Sequence, residues 1–189
     1  GSRTVTFVYN GEIVSVQTGN IAQTLTKPEM QNIVIDDGVV VNEYAFVGWF
    51  LDENCTNQFT ANTIPRYDTT LYAKYELSKT KYYATIHFET SEDINVDDLK
   101  GFVGDSFVLP VLQNVEIIID ENTSLLKTFV CWQTADGKAF EKTIFEHSYL
   151  VLKAKWQEKT TKTYLVTIYS AQKEVYNTKV EANIEFVFP

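Results

Sequence analysis

Val5, Phe7 and Tyr9 alternate with Thr4, Thr6 and Val8, the period-two pattern of a strand that buries one face. Asn10-Gly11 follows at once, a dipeptide suited to the two left-handed positions of a tight hairpin, and residues 13–18 read as the returning strand. Further on, Leu71, Ala73 and Tyr75 share the face opposite Lys74, so those three belong in a core and the lysine in water. Between these elements the run from Tyr44 to Trp49 is apolar at both parities, which predicts a central strand covered on both faces, with Phe46 buried. Ile33-Val34-Ile35-Asp36 predicts an additional β-branched strand, and Asp36-Asp37-Gly38 can turn it into Val39-Val40-Val41. Helical signals are limited to single turns at residues 27–31, opened by Pro28, and at 96–100. The fold class expected is mostly β, an α+β chain with little helix.

The same elements come back. Tyr44-Ala45-Phe46-Val47-Gly48-Trp49 returns as Lys127-Thr128-Phe129-Val130-Cys131-Trp132, at an offset of 83. The strand through Lys74 returns as Val151-Leu152-Lys153-Ala154-Lys155-Trp156, at an offset of 81. Val5-Thr6-Phe7 is matched by Ala84-Thr85-Ile86 and again by Val166-Thr167-Ile168, and Ile33 to Asp36 by Ile117 to Asp120. A period this long means small domains in tandem. Residues 3–77 form a first domain and 82–157 a second, while 163–189 hold only the first hairpin of a third, with strands at 164–169 and 180–187. The polar Lys/Thr segments 76–81 and 157–162 are expected to be linkers. In the second domain the acidic stretch 91–98 replaces the tight turn, and 106–109 is the expected returning strand. Lys155 should be exposed and Ile86, Phe129, Leu152 and Ala154 buried.

The two landmarks leave two phasings open. The closing strand at 71–75 pairs with its own opening strand at 5–9, or else with the next one at 84–88. An isolated hairpin is marginal in water, so Ile168, Ile184, Phe186 and Phe188 need a partner. The terminal hairpin is therefore expected to pack on the second domain or to associate edge to edge with a neighbouring molecule through 163–189.

Val5-Thr6-Phe7, Gly11, Lys27-Pro28, Tyr44, Phe46, Gly48-Trp49, Phe59 and Leu71-Tyr72-Ala73-Lys74 together resemble the Listeria/Bacteroides repeat, the module also known as the B-repeat of internalin-type surface proteins. Thr85, Gly104, Pro110, Phe129, Trp132, Phe140, Leu152, Ala154 and Lys155 continue the resemblance in the second domain. It implies a small β-grasp-like, ubiquitin-like fold, carried in tandem on secreted or cell-wall-attached bacterial proteins as stalk, spacer and adhesion or protein-interaction surface. Two features depart from that pattern: Cys131 replaces the motif glycine, and the β-branched inserts at Ile33 and Ile117 lengthen each repeat.

Composition narrows the chemistry. Domains of about 80 residues sit near the lower limit for an independent core, and the 14 % aromatic content supplies the large side chains such a core needs. With 16 Lys and Arg against 25 Asp and Glu, the net charge of −9 repels phosphate backbones, so nucleic acid is not an expected partner. No apolar run is long enough to insert in a membrane as a helix. Gly1-Ser2 has the look of a vector remnant, which points to a piece of a longer protein. Cys55 and Cys131 fall at non-equivalent places and read as free thiols.

His87 and His147 are the only histidines and read as surface residues. Asp93-x-Asn95-x-Asp97 opens like a calcium loop, but the required glycine position is Asp98 and the glutamate position Gly104, so a solvated acidic loop is expected. Trp49, Trp132 and Trp156 could stack on sugars, but two of them, Trp49 and Trp132, recur across the units as core residues would, and the core reading is the stronger. No catalytic, cofactor-binding or metal residue is assigned, and no cofactor. The partners implied are a host or cell-surface protein or a glycan. A different class of function, a carbohydrate-binding appendage of a secreted glycan-processing enzyme, would use Tyr72, Tyr149 or Tyr169 as a platform.

Overall fold

The computed structural model describes every residue except Glu92, Asn183, Ile184, Phe186, Phe188 and Pro189, so the expectations placed on Ile184, Phe186 and Phe188 lie outside the described residues. Ten strands and no helix occur among the rest, in mixed parallel and antiparallel pairing. By packing, the chain divides into two compact units, Gly1–Tyr83 and Ala84–Pro189.

In the first unit β1 (Ser2–Tyr9) folds back on β2 (Glu12–Asn20). Asn10 and Gly11 both take positive φ, 49° and 77°, the mirror-image turn whose twist suits a hairpin. On its other side β1 runs parallel to the start of β5 (Thr69–Glu89), in the register Val5↔Thr69 to Val8↔Tyr72. The opening strand thus takes the closing strand of its own unit. The alternative ladder is absent, because 71–75 and 84–88 are stretches of one strand. β4 (Val40–Phe50) lies antiparallel on the far side of β5, and β3 (Ile33–Asp36) outside β4, giving the order β2-β1-β5-β4-β3.

Val5, Phe7, Leu25, Trp49, Ile64 and Leu71 form the buried core. Leu25 and Ile64 come from the irregular segments that close one face of the sheet, so no helix is needed there and residues 27–31 form none. Since only one face is closed, Val47 on β4 is 39 % exposed, which corrects the expectation of a strand covered on both sides. Phe46 and Ala73 sit half-buried at the core's rim. Lys74 is half-buried as well, its amine 5.1 Å above the Phe50 ring and 3.4 Å from Glu76; the stem covers apolar surface while the charge stays wet.

In the second unit residues 85–89 of β5 run parallel to β9 (Tyr149–Ser170), from Thr85↔Tyr149 to Glu89↔Lys153, and β5 also pairs with β6 (Leu99–Phe102). β8 (Thr123–Gln133) lies antiparallel to β9, and β7 (Val115–Asp120) to β8. β6 stands where a helical turn was expected at 96–100, and the returning strand expected at 106–109 is reduced to a single bridge, Ser106↔Ile144. The core comprises Ala84, Ile86, Phe88, Trp132, Phe145 and Leu152, with Phe129 and Ala154 half-buried against it and Lys155 exposed.

Both polar segments expected as linkers are strand. Residues 76–82 pair with β4 from Ala45 back to Val40, and 157–162 pair with β8 from Thr128 back to Thr123. The β3–β4 and β7–β8 hairpins reach past each core and offer those backbones a ladder, and alternating Lys and Thr suits a strand open to water on its faces.

The terminal hairpin is also corrected. Ala171 and Gln172 take φ 51° and 63° and turn β9 into β10 (Lys173–Glu181), seven residues earlier than the strand expected from residue 180. Its bulge, between Glu174 and Tyr176 opposite Tyr169 and Ile168, sits where β1 and β2 have theirs at Val8 and Phe7. β9–β10 therefore reproduces β1–β2.

Register also realigns the repeat. Phe7 pairs with Leu71 and Phe88 with Leu152, so Val5-Thr6-Phe7 corresponds to Ile86-His87-Phe88 and not to Ala84-Thr85-Ile86. A slip of two residues preserves which side chains face the core, so hydrophobic alternation alone does not register it. With that alignment the two units share their contacts. Trp49 meets Phe7 at 4.8 Å and donates to the Pro28 carbonyl at 3.2 Å; Trp132 meets Phe88 at 4.5 Å and donates to Pro110 at 2.7 Å.

One contact differs. The Tyr75 hydroxyl donates to the Gln31 carbonyl at 2.9 Å, whereas at the equivalent Trp156 the buried Nε1 has no partner among the described residues. Because an unmade buried hydrogen bond costs about 1–3 kcal/mol, Trp156→Tyr is expected to leave stability unchanged or raise it. Trp132→Tyr, which removes a satisfied donor and fills less of the core, is expected to lower it by more than about 1 kcal/mol. Urea unfolding of the two variants checks the contrast.

Exposed aspartates fix the turns. Asp36 accepts from the Tyr83 hydroxyl at 2.6 Å and Gly38 N–H at 2.9 Å, and Asp37 from Val40 N–H at 2.7 Å and Val39 N–H at 2.8 Å. Donors to the charged form hold Asp36, Asp37, Asp52, Asp120 and Asp136 below the ordinary value of 3.8, chiefly Tyr83, Val40, Thr56, Asn122 and Thr134 respectively. A carboxyl with a lower pKa folded than unfolded stabilises the fold above its unfolded value, and that contribution disappears as pH falls through the folded one. The thermal midpoint is expected to be flat above about pH 5 and to fall below about pH 4, which calorimetry across that range would show.

Candidate functional site

The chemistry-bearing residues do not converge. His87 lies on the face of β5 away from Ile86 and Phe88, and its Nδ1 is 2.8 Å from Asp98 Oδ1. The acidic run at 93–98 was visible in the sequence, but its approach to His87 required the path of the loop back to β6. Asp93, Asn95 and Asp97 are exposed, Glu92 lies outside the described residues, and no three His, Cys, Asp or Glu side chains are grouped to hold a metal among the described residues. His147 is exposed.

Both cysteines are free and half-buried. Burial, reinforced by the nearby Asp52, pushes the Cys55 thiol up, away from nucleophilic use. Trp49 and Trp132 are each 2 % exposed, which leaves neither ring a face for stacking on a sugar. Of the platform residues, Tyr149 and Tyr169 are exposed and Tyr72 is half-buried.

A cleft that sequence reading missed opens on the first unit. It holds about 590 Å³ and is lined by Lys27, Met30, Phe46, Trp49, Gln58 and Phe59, among others. The Lys27 amine lies 3.3 Å from the Phe59 carbonyl and 5.1 Å above its ring, so it closes one wall instead of offering a free charge. Gly48 forms part of the lining, and a Cβ there would come within 2.7 Å of Gln58 Nε2. The second unit has Cys131 at that position, and the bridge Phe50↔Gln58 becomes Gln133↔Ala139. Ala139 in place of Gln58 makes room for the cysteine, which accounts for the departure from the glycine motif.

Tight packing marks a second glycine pair. A Cβ on Gly19 would collide with Ile64 Cδ1, and one on Gly101 would lie 2.8 Å from Phe145 Cε2. The backbone bonds around them also correspond: Ala22 N–H donates to Ile64 O at 3.0 Å and Gly104 N–H to Phe145 O at 2.8 Å. What the two units hold in common among the described residues is thus a packing scheme.

No curated protein matches the chain in sequence. The family model of the Listeria-Bacteroides repeat domain matches residues 4–74, from β1 to the closing stretch of β5. That span contains the opening hairpin, Gly48-Trp49, Leu25, Ile64 and Leu71, the residues that make the first core. Over residues 4–74, then, the chain matches the same repeat family that its sequence resembles.

Proposed function

We propose that the chain is a non-catalytic tandem module of a bacterial cell-surface or secreted protein, with β-grasp-like units that serve as stalk or spacer and as an adhesion or protein-interaction surface. The observation that carries this reading is the duplication itself. The aromatic core, the Trp-to-Pro hydrogen bonds and the close-packed glycines recur from unit to unit, while His87, paired with Asp98 in the second unit, is replaced by Thr6 at the same register position of the first. Selection on a duplicated enzyme domain would keep a site; selection on length and shape keeps a fold. The match of residues 4–74 to the Listeria-Bacteroides repeat, a module of bacterial surface proteins, supports an extracellular or wall-attached location.

Replacing both units in the parent protein by a flexible Gly/Ser linker of equal contour length is expected to shorten the reach of whatever lies beyond them and to weaken adhesion of the cell. Unchanged reach and adhesion would refute the stalk reading. A glycan array addresses the carbohydrate-binding alternative, which now relies on Tyr149 and Tyr169; specific binding lost in Tyr149→Ala or Tyr169→Ala would favour it.

A further inference from the structure

In both units the strand that opens the unit lies beside the strand that closes it, and the two are parallel: Val5↔Thr69 to Val8↔Tyr72 in one, Thr85↔Tyr149 to Glu89↔Lys153 in the other. Parallel strands start from the same end. The chain therefore enters the first unit at one end of the pair and leaves it, through residues 73–83, beyond the opposite end. Tension applied between Ser2 and Tyr83 drives β1 and β5 past each other along their length. The hydrogen bonds between them cross that direction and are loaded together, whereas strands pulled apart from a shared end open one bond at a time.

Two further features resist sliding. β1 and β5 are inner strands: β2 holds β1 from outside through eight register pairs, and β4 holds β5 along Val40–Phe50. The second unit repeats this, with β6 paired to β5 and β8 beside the closing stretch of β9. On its core side the clamp is also dry, since Val5, Phe7, Leu71 and Leu152 are 0 % exposed and water cannot reach the backbone bonds from that side before the core slips.

We propose that each unit is a mechanical clamp, in which the parallel pair of opening and closing strands bears tension passing along the chain. The inference rests on the stalk reading and goes beyond it, because a spacer need not resist force.

Single-molecule stretching of the first unit in two geometries tests it. In a Cys55→Ser, Cys131→Ser background, handles at Ser2→Cys and Tyr82→Cys load the pair along its length. Handles at Ser2→Cys and Tyr67→Cys pull from the shared end, where Asp68 Oδ1 accepts from Thr4 N–H at 2.8 Å. Ser2, Tyr67 and Tyr82 are all exposed, so the handles leave the core intact. The expected result is a rupture force several-fold higher for the first geometry than for the second, with the extension of the freed chain, about 3.3–3.6 Å per residue, identifying the unit. Equal forces would overturn the clamp while leaving the spacer reading to the linker replacement, which reads reach and not force.

Discussion

Replacing Trp132 by alanine is expected to unfold the second unit while the first stays folded. The indole is 2 % exposed, packs against Phe88 at 4.5 Å and Phe129 at 5.4 Å, and donates to the Pro110 carbonyl at 2.7 Å. Truncating a large buried aromatic removes about 3–5 kcal/mol, and the carbonyl left behind inside the structure adds to the loss. Domains in this size class hold about 5–15 kcal/mol in all, and small ones lie toward the bottom of that range. Amide spectra of the variant should lose the dispersed signals of residues 84–157 and keep those of 2–83. Trp49→Ala should do the reverse. Loss of both sets in either variant would show that the units fold as one cooperative body.

Gly101→Ala is the second large effect expected. A Cβ there would meet the Phe145 ring at 2.8 Å and Asp105 Oδ2 at 3.4 Å. Phe145 is 4 % exposed and packs on Phe107 at 4.9 Å, so the ring cannot turn away without disturbing its neighbours in the core. Forcing a methyl into so full a site costs about 1–3 kcal/mol. Asp105 is also committed, its carboxylate accepting from Phe102 N–H at 3.0 Å. Combining Gly101→Ala with Phe145→Leu should recover part of the loss, because the smaller side chain vacates the space the methyl needs. Denaturant midpoints of the two single variants and the double variant decide the matter; strictly additive losses would mean that the glycine is needed for another reason.

How legible this was in the sequence depends on the range of the interaction. Period-two alternation fixed the faces of β1 and β5 correctly at Val5, Phe7, Leu71, Ile86 and Leu152, because burial acts on each residue separately. The turns at Asn10-Gly11 and Asp36-Asp37-Gly38 were readable for the same reason, since their geometry is local. What escaped was non-local. Residues 76–82 look like a linker until β4 is known to extend alongside them, and Ala171-Gln172 carries no turn signal although the backbone takes the positive φ of one. The two-residue slip between Val5-Thr6-Phe7 and Ile86-His87-Phe88 was invisible to alternation and is resolved by strand register alone. The Gly19 and Gly101 pair had a sequence signal in its spacing, but its meaning lies in the approach of Ile64 and Phe145 from a distant loop. The cleft at Phe46, Phe59 and Lys27 likewise gathers segments far apart in the chain.

The strand that replaces the first supposed linker decides where the chain can be cut. Polar Lys/Thr stretches between repeats are the usual places to truncate, and proteases favour them when the backbone is loose. Here the residues from 76 onward are laddered to β4, Tyr83 N–H donates to Val39 O at 3.0 Å, and its hydroxyl holds the Asp36 turn. A fragment ending at residue 77 would strip β4 of its partner over 40–43 and leave the β3–β4 hairpin as an uncovered ribbon prone to aggregation. A soluble first repeat therefore has to run to Tyr83.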